Sequence, residues 1–216
     1  MSYQKLIEYC TANKVDLIAV SKTRSLKQIQ ILYDKGQRDF GENRVQEWLD
    51  KKDQLPTDIR WHLIGTLQRN KVKSIIPGIH SIQSISNFRI LDKVQEESSI
   101  CDVQTNVLLQ FKLSSEETKS GFIYGDIFNK EFDPIAYPNV VFQGVMGMAT
   151  FTDENAVVRS DFAKLKGIFD DLNSRYFSDQ ETFKSISMGM SGDYKLAIEE
   201  GSNMLRIGSL LFNDMA

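Results

Sequence analysis

The sequence predicts a single α/β domain over residues 1–216, folded as a (β/α)8 TIM barrel. Short apolar, β-branched runs recur along the chain, most of them followed by a helical pattern, and strands alternating with helices build a parallel sheet. Eight such runs can be placed, and eight parallel strands favour closure into a barrel over an open, doubly wound sheet. A length of 216 residues also suits one α/β barrel with one sizeable core.

The first strand is expected at 17–20, the run Leu17-Ile18-Ala19-Val20. Ser25 then opens a helix with Leu26, Ile29, Leu32 and Tyr33 on one face, and Gly36 stops it. A second strand fits 39–43 and leads into a helix burying Val45, Trp48 and Leu49. The third and fourth strands are read at 60–65 and 79–83. Ser86 is expected to cap the next helix, with Phe88, Leu91 and Val94 facing inward. Strand five is a long run over 103–111 and strand six covers 140–146. Between them, 112–138 holds Gly121, Gly125, Pro134 and Pro138, which predicts an irregular segment. Asp161 is expected to begin an amphipathic helix through Phe162, Leu165, Phe169 and Leu172. Strand seven falls at 183–188, Ser191 caps a helix that ends at Gly201, and strand eight is 204–207.

Composition narrows the classes of function. With 41% hydrophobic and 25% charged residues, the chain reads as an ordinary soluble globular protein. A net charge of -3 without a basic cluster argues against a nucleic-acid partner. No apolar leader follows Met1 and no run reaches membrane-spanning length, so a cytoplasmic protein with no membrane partner is expected. Cys10 and Cys101 lie far apart without metal-ligand spacing and read as reduced thiols. His62 and His80 are too few and too distant in sequence to suggest a metal cluster, so no metal is expected.

Lys22 is the most informative residue, because it abuts the apolar run of the first strand. A lysine held at the end of a buried strand loses hydration, which favours the neutral amine. Such an amine can condense with an aldehyde, making Lys22 a Schiff-base candidate. Asn43, His62, Ser81, Ser187 and Arg206 are expected at or near the C-terminal ends of their strands, the face where barrels bind ligands. Gly41, Gly65, Gly189 and Gly208 flank the same ends. Taken singly, Gly, Ser and Asn at strand ends mark turns; the spread of polar groups over so many strands is what points to a site.

An anion site is legible in Ser187-Met188-Gly189-Met190-Ser191 and Arg206-Ile207-Gly208-Ser209, which offer backbone N–H groups, hydroxyls and a guanidinium. Barrels often bind phosphate with the loops after strands seven and eight. No Walker or dinucleotide-binding glycine spacing occurs. An amine on strand one and a phosphate cradle on strands seven and eight suggest a phosphorylated aldehyde, and pyridoxal 5′-phosphate fits that description.

Stretches along nearly the whole chain resemble one family. They are Ala19-Val20-Ser21-Lys22-Thr23, Phe40-Gly41-Glu42-Asn43 with Val45-Gln46-Glu47, and Trp61-His62-Leu63-Ile64-Gly65 with Leu67-Gln68 and Asn70-Lys71. Lys119-Ser120-Gly121, Ser187-Met188-Gly189-Met190-Ser191 and Arg206-Ile207-Gly208 complete the series. Together they resemble the YggS/PROSC family of pyridoxal-phosphate homeostasis proteins. The resemblance implies a fold-type III barrel, like the N-terminal domain of alanine racemase. It also implies a non-catalytic protein that holds pyridoxal 5′-phosphate as a Schiff base on Lys22 and acts in its intracellular homeostasis and delivery. By the same resemblance, Ser187, Gly208 and Ser209 bind the phosphate, Arg206 faces the pyridine nitrogen and Asn43 lines the pocket. The implied partners are the cofactor and pyridoxal-phosphate-dependent apo-enzymes as recipients, and the chain is expected to be a monomer.

The chain departs from the family pattern at several places. Arg44 stands where the family often has tyrosine, Gln83 where it often has aspartate, and Asn203 where it has threonine. Phe111-Lys112 replaces the usual Val-Asn, and the segment before strand one is shorter than usual. The principal alternative is an amino-acid racemase of the alanine racemase type, and a weaker one is a sugar-phosphate enzyme using Lys22 in aldolase fashion. The racemase reading requires a second, β-rich domain carrying a tyrosine base, and the barrel is expected to consume the chain to Ala216.

Overall fold

The computed structural model describes residues 3–113, 120–128 and 132–212. Eight parallel strands close into a barrel in the order β1 to β8: β1 (Asp16–Val20), β2 (Asp39–Glu42), β3 (Arg60–Leu63), β4 (Ser81–Ile85), β5 (Thr105–Lys112), β6 (Val140–Met148), β7 (Ser185–Ser187) and β8 (Met204–Ile207). Closure is made by β1 lying parallel to β8, with Ile18 opposite Arg206 and Ala19 opposite Ile207.

Helices cover the outside: α1 (Tyr3–Ala12), α2 (Leu26–Asp34), α3 (Val45–Lys52), α4 (Val72–Ile75), α5 (Phe88–Ile100), α6 (Tyr124–Phe128), α7 (Asn155–Leu172), α8 (Tyr194–Glu199) and α9 (Ser209–Phe212). The short segment ahead of β1 thus forms a full helix, α1, which buries Leu6 and Cys10. Cys10 is buried and Cys101 half-buried, and both are free.

Successive strand residues point to opposite faces, and this alternation divides the core. Residues such as Ala19, Phe40, Trp61, Leu63, Ile82 and Val107 join one large cluster with the helices. Ile18, Leu108, Met146 and Met204 form a separate small cluster in the lumen. The rest of the buried lumen carries polar groups, among them His62, Gln83, Ser187 and Arg206.

Local signals explain the element boundaries, and several differ from the sequence expectation. Ser25 caps α2 with a complete capping box: Gln28 N–H donates to the Ser25 hydroxyl, and Gln28 Oε1 accepts from Ser25 N–H. The cap of α5 is Asn87, not Ser86, because Asn87 Oδ1 accepts from Ile90 N–H at 3.1 Å. Helix α7 begins at Asn155, ahead of Asp161, which instead accepts from Thr150 N–H and Oγ1–H, both at 2.7 Å. Position 193, not Ser191, holds the cap of α8, and Asp193 Oδ1 accepts from Met190 N–H. Strand β4 runs over Ser81–Ile85 because Ser81 pairs with both His62 and Asn106 in the closed sheet. Within 112–138 the described residues hold α6 and a 3-10 turn at Pro134–Ala136; Lys119 lies outside the described residues.

Gly144 lets β6 pass a register shift against β5, where Val107 faces Phe142 but Leu108 faces Gly144. Its φ is +145°, and an added Cβ would stand 1.9 Å from the Ser185 carbonyl oxygen. Gly144→Ala should therefore cost more than about 1 kcal/mol in urea unfolding, since alanine meets both a forbidden backbone angle and a clash with β7. Gly167 sits inside α7 with nothing near an added Cβ. Gly167→Ala should stabilise by about 0.5–1 kcal/mol in the same measurement.

Candidate functional site

The chain leaves β1 through Ser21, Lys22 and Thr23, and a buried ion cluster holds that turn. The Ser21 hydroxyl donates to Glu42 Oε1 at 2.7 Å. From α3, Lys51 Nζ donates to Ser21 O (2.9 Å), Glu42 Oε1 (2.8 Å) and Glu47 Oε1 (2.7 Å). Glu47 Oε1 also accepts from Thr23 N–H, and Thr23 takes a left-handed φ of +62°. Burial pushes the Glu42 carboxyl above its usual range, against the lowering effect of its bonds from Lys51 and Ser21. The backbone on both sides of Lys22 is thus pinned while its side chain stays exposed. The burial expected from its strand-end position is absent, so Lys22 is marked by where it points.

Lys22, Asn43, Arg206, Gly208 and Ser209 line one cavity of about 420 Å³ at the C-terminal mouth of the barrel. The ends of β1, β6 and β8 and the loops after β1, β2, β3, β7 and β8 supply its walls, with Ser191 and Gly192 contributing from the β7 loop. Gly65 lets the end of β3 close against Asn43, since a Cβ there would lie 2.2 Å from the Asn43 carbonyl oxygen. Lys22, Arg24 and Arg206 all line the cavity, and no carboxylate does so among the described residues. An exposed amine, two guanidiniums and the hydroxyls of Ser191 and Ser209 suit a small aldehyde that carries a phosphate dianion.

Ser187 does not line this cavity. It is fully buried; its hydroxyl donates to Gln83 Oε1 (2.7 Å) and accepts from Arg206 Nη1 (2.7 Å). Arg206 Nη1 also donates to Ser187 O (2.7 Å), and Nη2 donates to Gly147 O (2.8 Å). Burial pulls the Arg206 guanidinium down to about 10, with Asp193 acting the other way. It therefore stays protonated at neutral pH and can only donate.

Gln83 extends the chain of bonds, and no sequence signal marked it beyond its departure from the family's aspartate. Its Nε2 donates to His62 Nδ1 at 3.1 Å, which leaves the His62 proton on Nε2, donating to Asp39 Oδ1 at 3.1 Å. A relay runs through the lumen: Arg206 to Ser187 to Gln83, then Gln83 to His62 to Asp39. Burial pushes the Asp39 carboxyl up, but hydrogen bonds from His62 and Arg60 outweigh it and hold it at about 2.

His62 is the third residue of β3 and buried, so it belongs to this relay and not to the ligand cavity. Ser81 opens β4 instead of ending it, and its hydroxyl donates to Gln143 Oε1. The expected separation of His62 and His80 is also corrected. Their rings lie 5.2 Å apart, and with Asp39 they place ligand-capable atoms within 4.8 Å of one another. Burial, then the neighbouring His62, pulls the His80 imidazole below its usual range.

Gln83→Leu should leave the Ser187 hydroxyl without its acceptor and loosen Arg206 without touching the cavity. We expect about 1–3 kcal/mol lost in chemical unfolding and a several-fold weaker hold on a ligand that meets Arg206. Gln83→Glu, which keeps the acceptor, should recover much of the ligand affinity. Equal affinity for all three proteins would rule out the positioning role.

No sequence-family profile matches the chain. Among curated proteins, it is 35% identical to the pyridoxal phosphate homeostasis protein of Aquifex aeolicus strain VF5 over 204 residues, covering 94% of this chain and 88% of that one. The homonymous protein of Haemophilus influenzae is 33% identical over 203 residues, covering 93% and 85%. Among solved structures, PipY of Synechococcus elongatus PCC7942 without pyridoxal phosphate superposes with a TM-score of 0.87 at 29% identity, covering 97% of this chain and 98% of PipY. PipY with pyridoxal phosphate bound gives 0.85. Alanine racemase of Clostridium difficile 630 shares the fold alone: TM-score 0.72 at 12% identity, with 98% of this chain on 57% of that one. The barrel is thus of pyridoxal-phosphate fold type III. With this level of identity over nearly its whole length, the chain belongs to the pyridoxal phosphate homeostasis protein family.

Proposed function

We propose that this chain binds pyridoxal 5′-phosphate in the cavity at the barrel mouth and serves in its storage and delivery, not as an enzyme. The observation that carries the reading is an exposed lysine facing a cavity lined by three cations and no carboxylate among the described residues. It is supported by end-to-end similarity to PipY, a protein whose structure is solved with pyridoxal phosphate bound. When bound, the cofactor supplies an aldehyde carbon and an electron-withdrawing ring.

The chain's own residues divide the work. Lys22 Nζ is the nucleophile, and the Glu42–Lys51–Glu47 cluster behind it holds the backbone turn that carries it. Gly208, Ser209 and Asn43 line the space for phosphate and ring. Arg206, able only to donate, keeps any ring nitrogen facing it unprotonated, which weakens the ring as an electron sink. Ser187 acts through Arg206. No described helix is long and apolar enough to cross a membrane, and a cytoplasmic monomer that hands its cofactor to apo-enzymes is the reading we adopt.

The alternative, an amino-acid racemase, needs a base on each face of the substrate carbon. Lys22 could serve one face. Among the described residues lining the cavity there is no tyrosine, histidine, cysteine or carboxylate to serve the other.

Borohydride reduction of the loaded protein followed by peptide mass spectrometry should place the pyridoxyl adduct on Lys22. An adduct mainly on another lysine would sink the assignment.

Long incubation with L- or D-alanine at high protein concentration, read by chiral chromatography, should show little or no racemisation. Sustained racemisation that vanishes in Lys22→Ala would make this chain an enzyme and overturn the carrier reading.

A further inference from the structure

A second cavity of about 580 Å³ adjoins the first and shares Asn43, Ile64 and Met148 with it as a common wall. Its remaining lining comes from the loops after β2 and β3 and from β5. Two cations, Arg44 and Lys71, face it, and no carboxylate lines it among the described residues. Neither cation is tied up: among the described residues no ion pair or side-chain hydrogen bond engages either one. Around them stand the amide groups of Asn43, Gln46, Gln68 and Gln110 and the hydroxyl of Thr66. Gln110 is buried and fixed, its Nε2 donating to Ser120 O at 2.8 Å.

We propose that this cavity is a second ligand site, which takes a small carboxylate of the α-amino acid class beside the cofactor pocket. The lining chemistry selects that class. A guanidinium fork and an ammonium offer a carboxylate charge-assisted donors in the plane it requires. The amide oxygens offer an α-ammonium group uncharged acceptors. A phosphate shares the demand for cations but makes no use of amide oxygens.

The common wall has a consequence. Ligands in the two cavities would meet across Asn43, Ile64 and Met148, and this shared wall is the route by which occupancy of one changes the hold on the other. An amino acid would then tune how fast the cofactor leaves. Only this coupling rests on the cofactor reading above; the amino-acid site stands without it.

The test is calorimetric titration of L-alanine, L-glutamate and inorganic phosphate into the full chain, with and without pyridoxal phosphate. An amino acid should bind both forms and outcompete phosphate. The double variant Arg44→Gln/Lys71→Gln should lose amino-acid affinity by about ten-fold or more. Its pyridoxal phosphate loading, read by absorbance, should be unchanged, and Arg44→Lys/Lys71→Arg should recover part of the lost affinity. On loaded wild-type protein, the amino acid should change the rate of cofactor release several-fold. Failure of both amino acids to bind, tighter binding of phosphate, or undiminished binding by the double variant would each overturn the site. An unchanged release rate would overturn the coupling. If pyridoxal phosphate fails to load while an amino acid still binds, the cofactor reading falls and the second site stands.

Discussion

A guanidinium buried inside a barrel is the constraint on which the site depends. Arg206 is almost fully out of water, and an unpaired charge there would cost several kcal/mol. The fold meets it with neutral acceptors at short distance: two backbone oxygens, from Ser187 and Gly147, and the Ser187 hydroxyl. Those acceptors belong to β6 and β7, and the arginine to β8. Holding the charge therefore also locks three strands in register at the ligand end of the barrel.

The relay beyond Ser187 follows from donor and acceptor bookkeeping. Once Arg206 donates to Ser187, the hydroxyl must find an acceptor, and Gln83 Oε1 provides it. The Gln83 amide then has only donors to offer His62, which fixes the imidazole tautomer and directs its proton to Asp39. Each bond dictates the sense of the next, because a half-satisfied polar network in low dielectric is costly. An ionised carboxylate at the position of Gln83 could not donate to His62, so the tautomer rests on the amide.

Stability and chemistry occupy different layers. The large apolar cluster between strands and helices leaves the lumen free to hold polar groups that contribute little to hydrophobic stability. On the outer side of the mouth, Lys51 ties Glu42 and Glu47 to the turn that carries Lys22. That ion cluster keeps the backbone in place and leaves the lysine side chain exposed at the cavity.

Much of this was legible in the chain. Strand-then-helix order, the cap at Ser25 and the strand-end placement of Lys22, Asn43, Arg206, Gly208 and Ser209 all follow from local pattern, since each depends on residues close in sequence. Tertiary closure decided the rest. Ser187 and Gln83 are 104 residues apart and hydrogen-bonded, and no local pattern can say whether a strand serine reaches a ligand or a neighbour across the lumen. His62 and His80 belong to successive strand regions, and parallel pairing brings their rings together. Local pattern marked most of the strands and helices and the strand ends that carry Lys22, Asn43 and Arg206, but not α4, α6 or the place of Ser81. Only the closed barrel decided which side chains share a cavity and which share a hydrogen bond, because strand tilt and register set the depth of each residue, and both exist only once β1 meets β8.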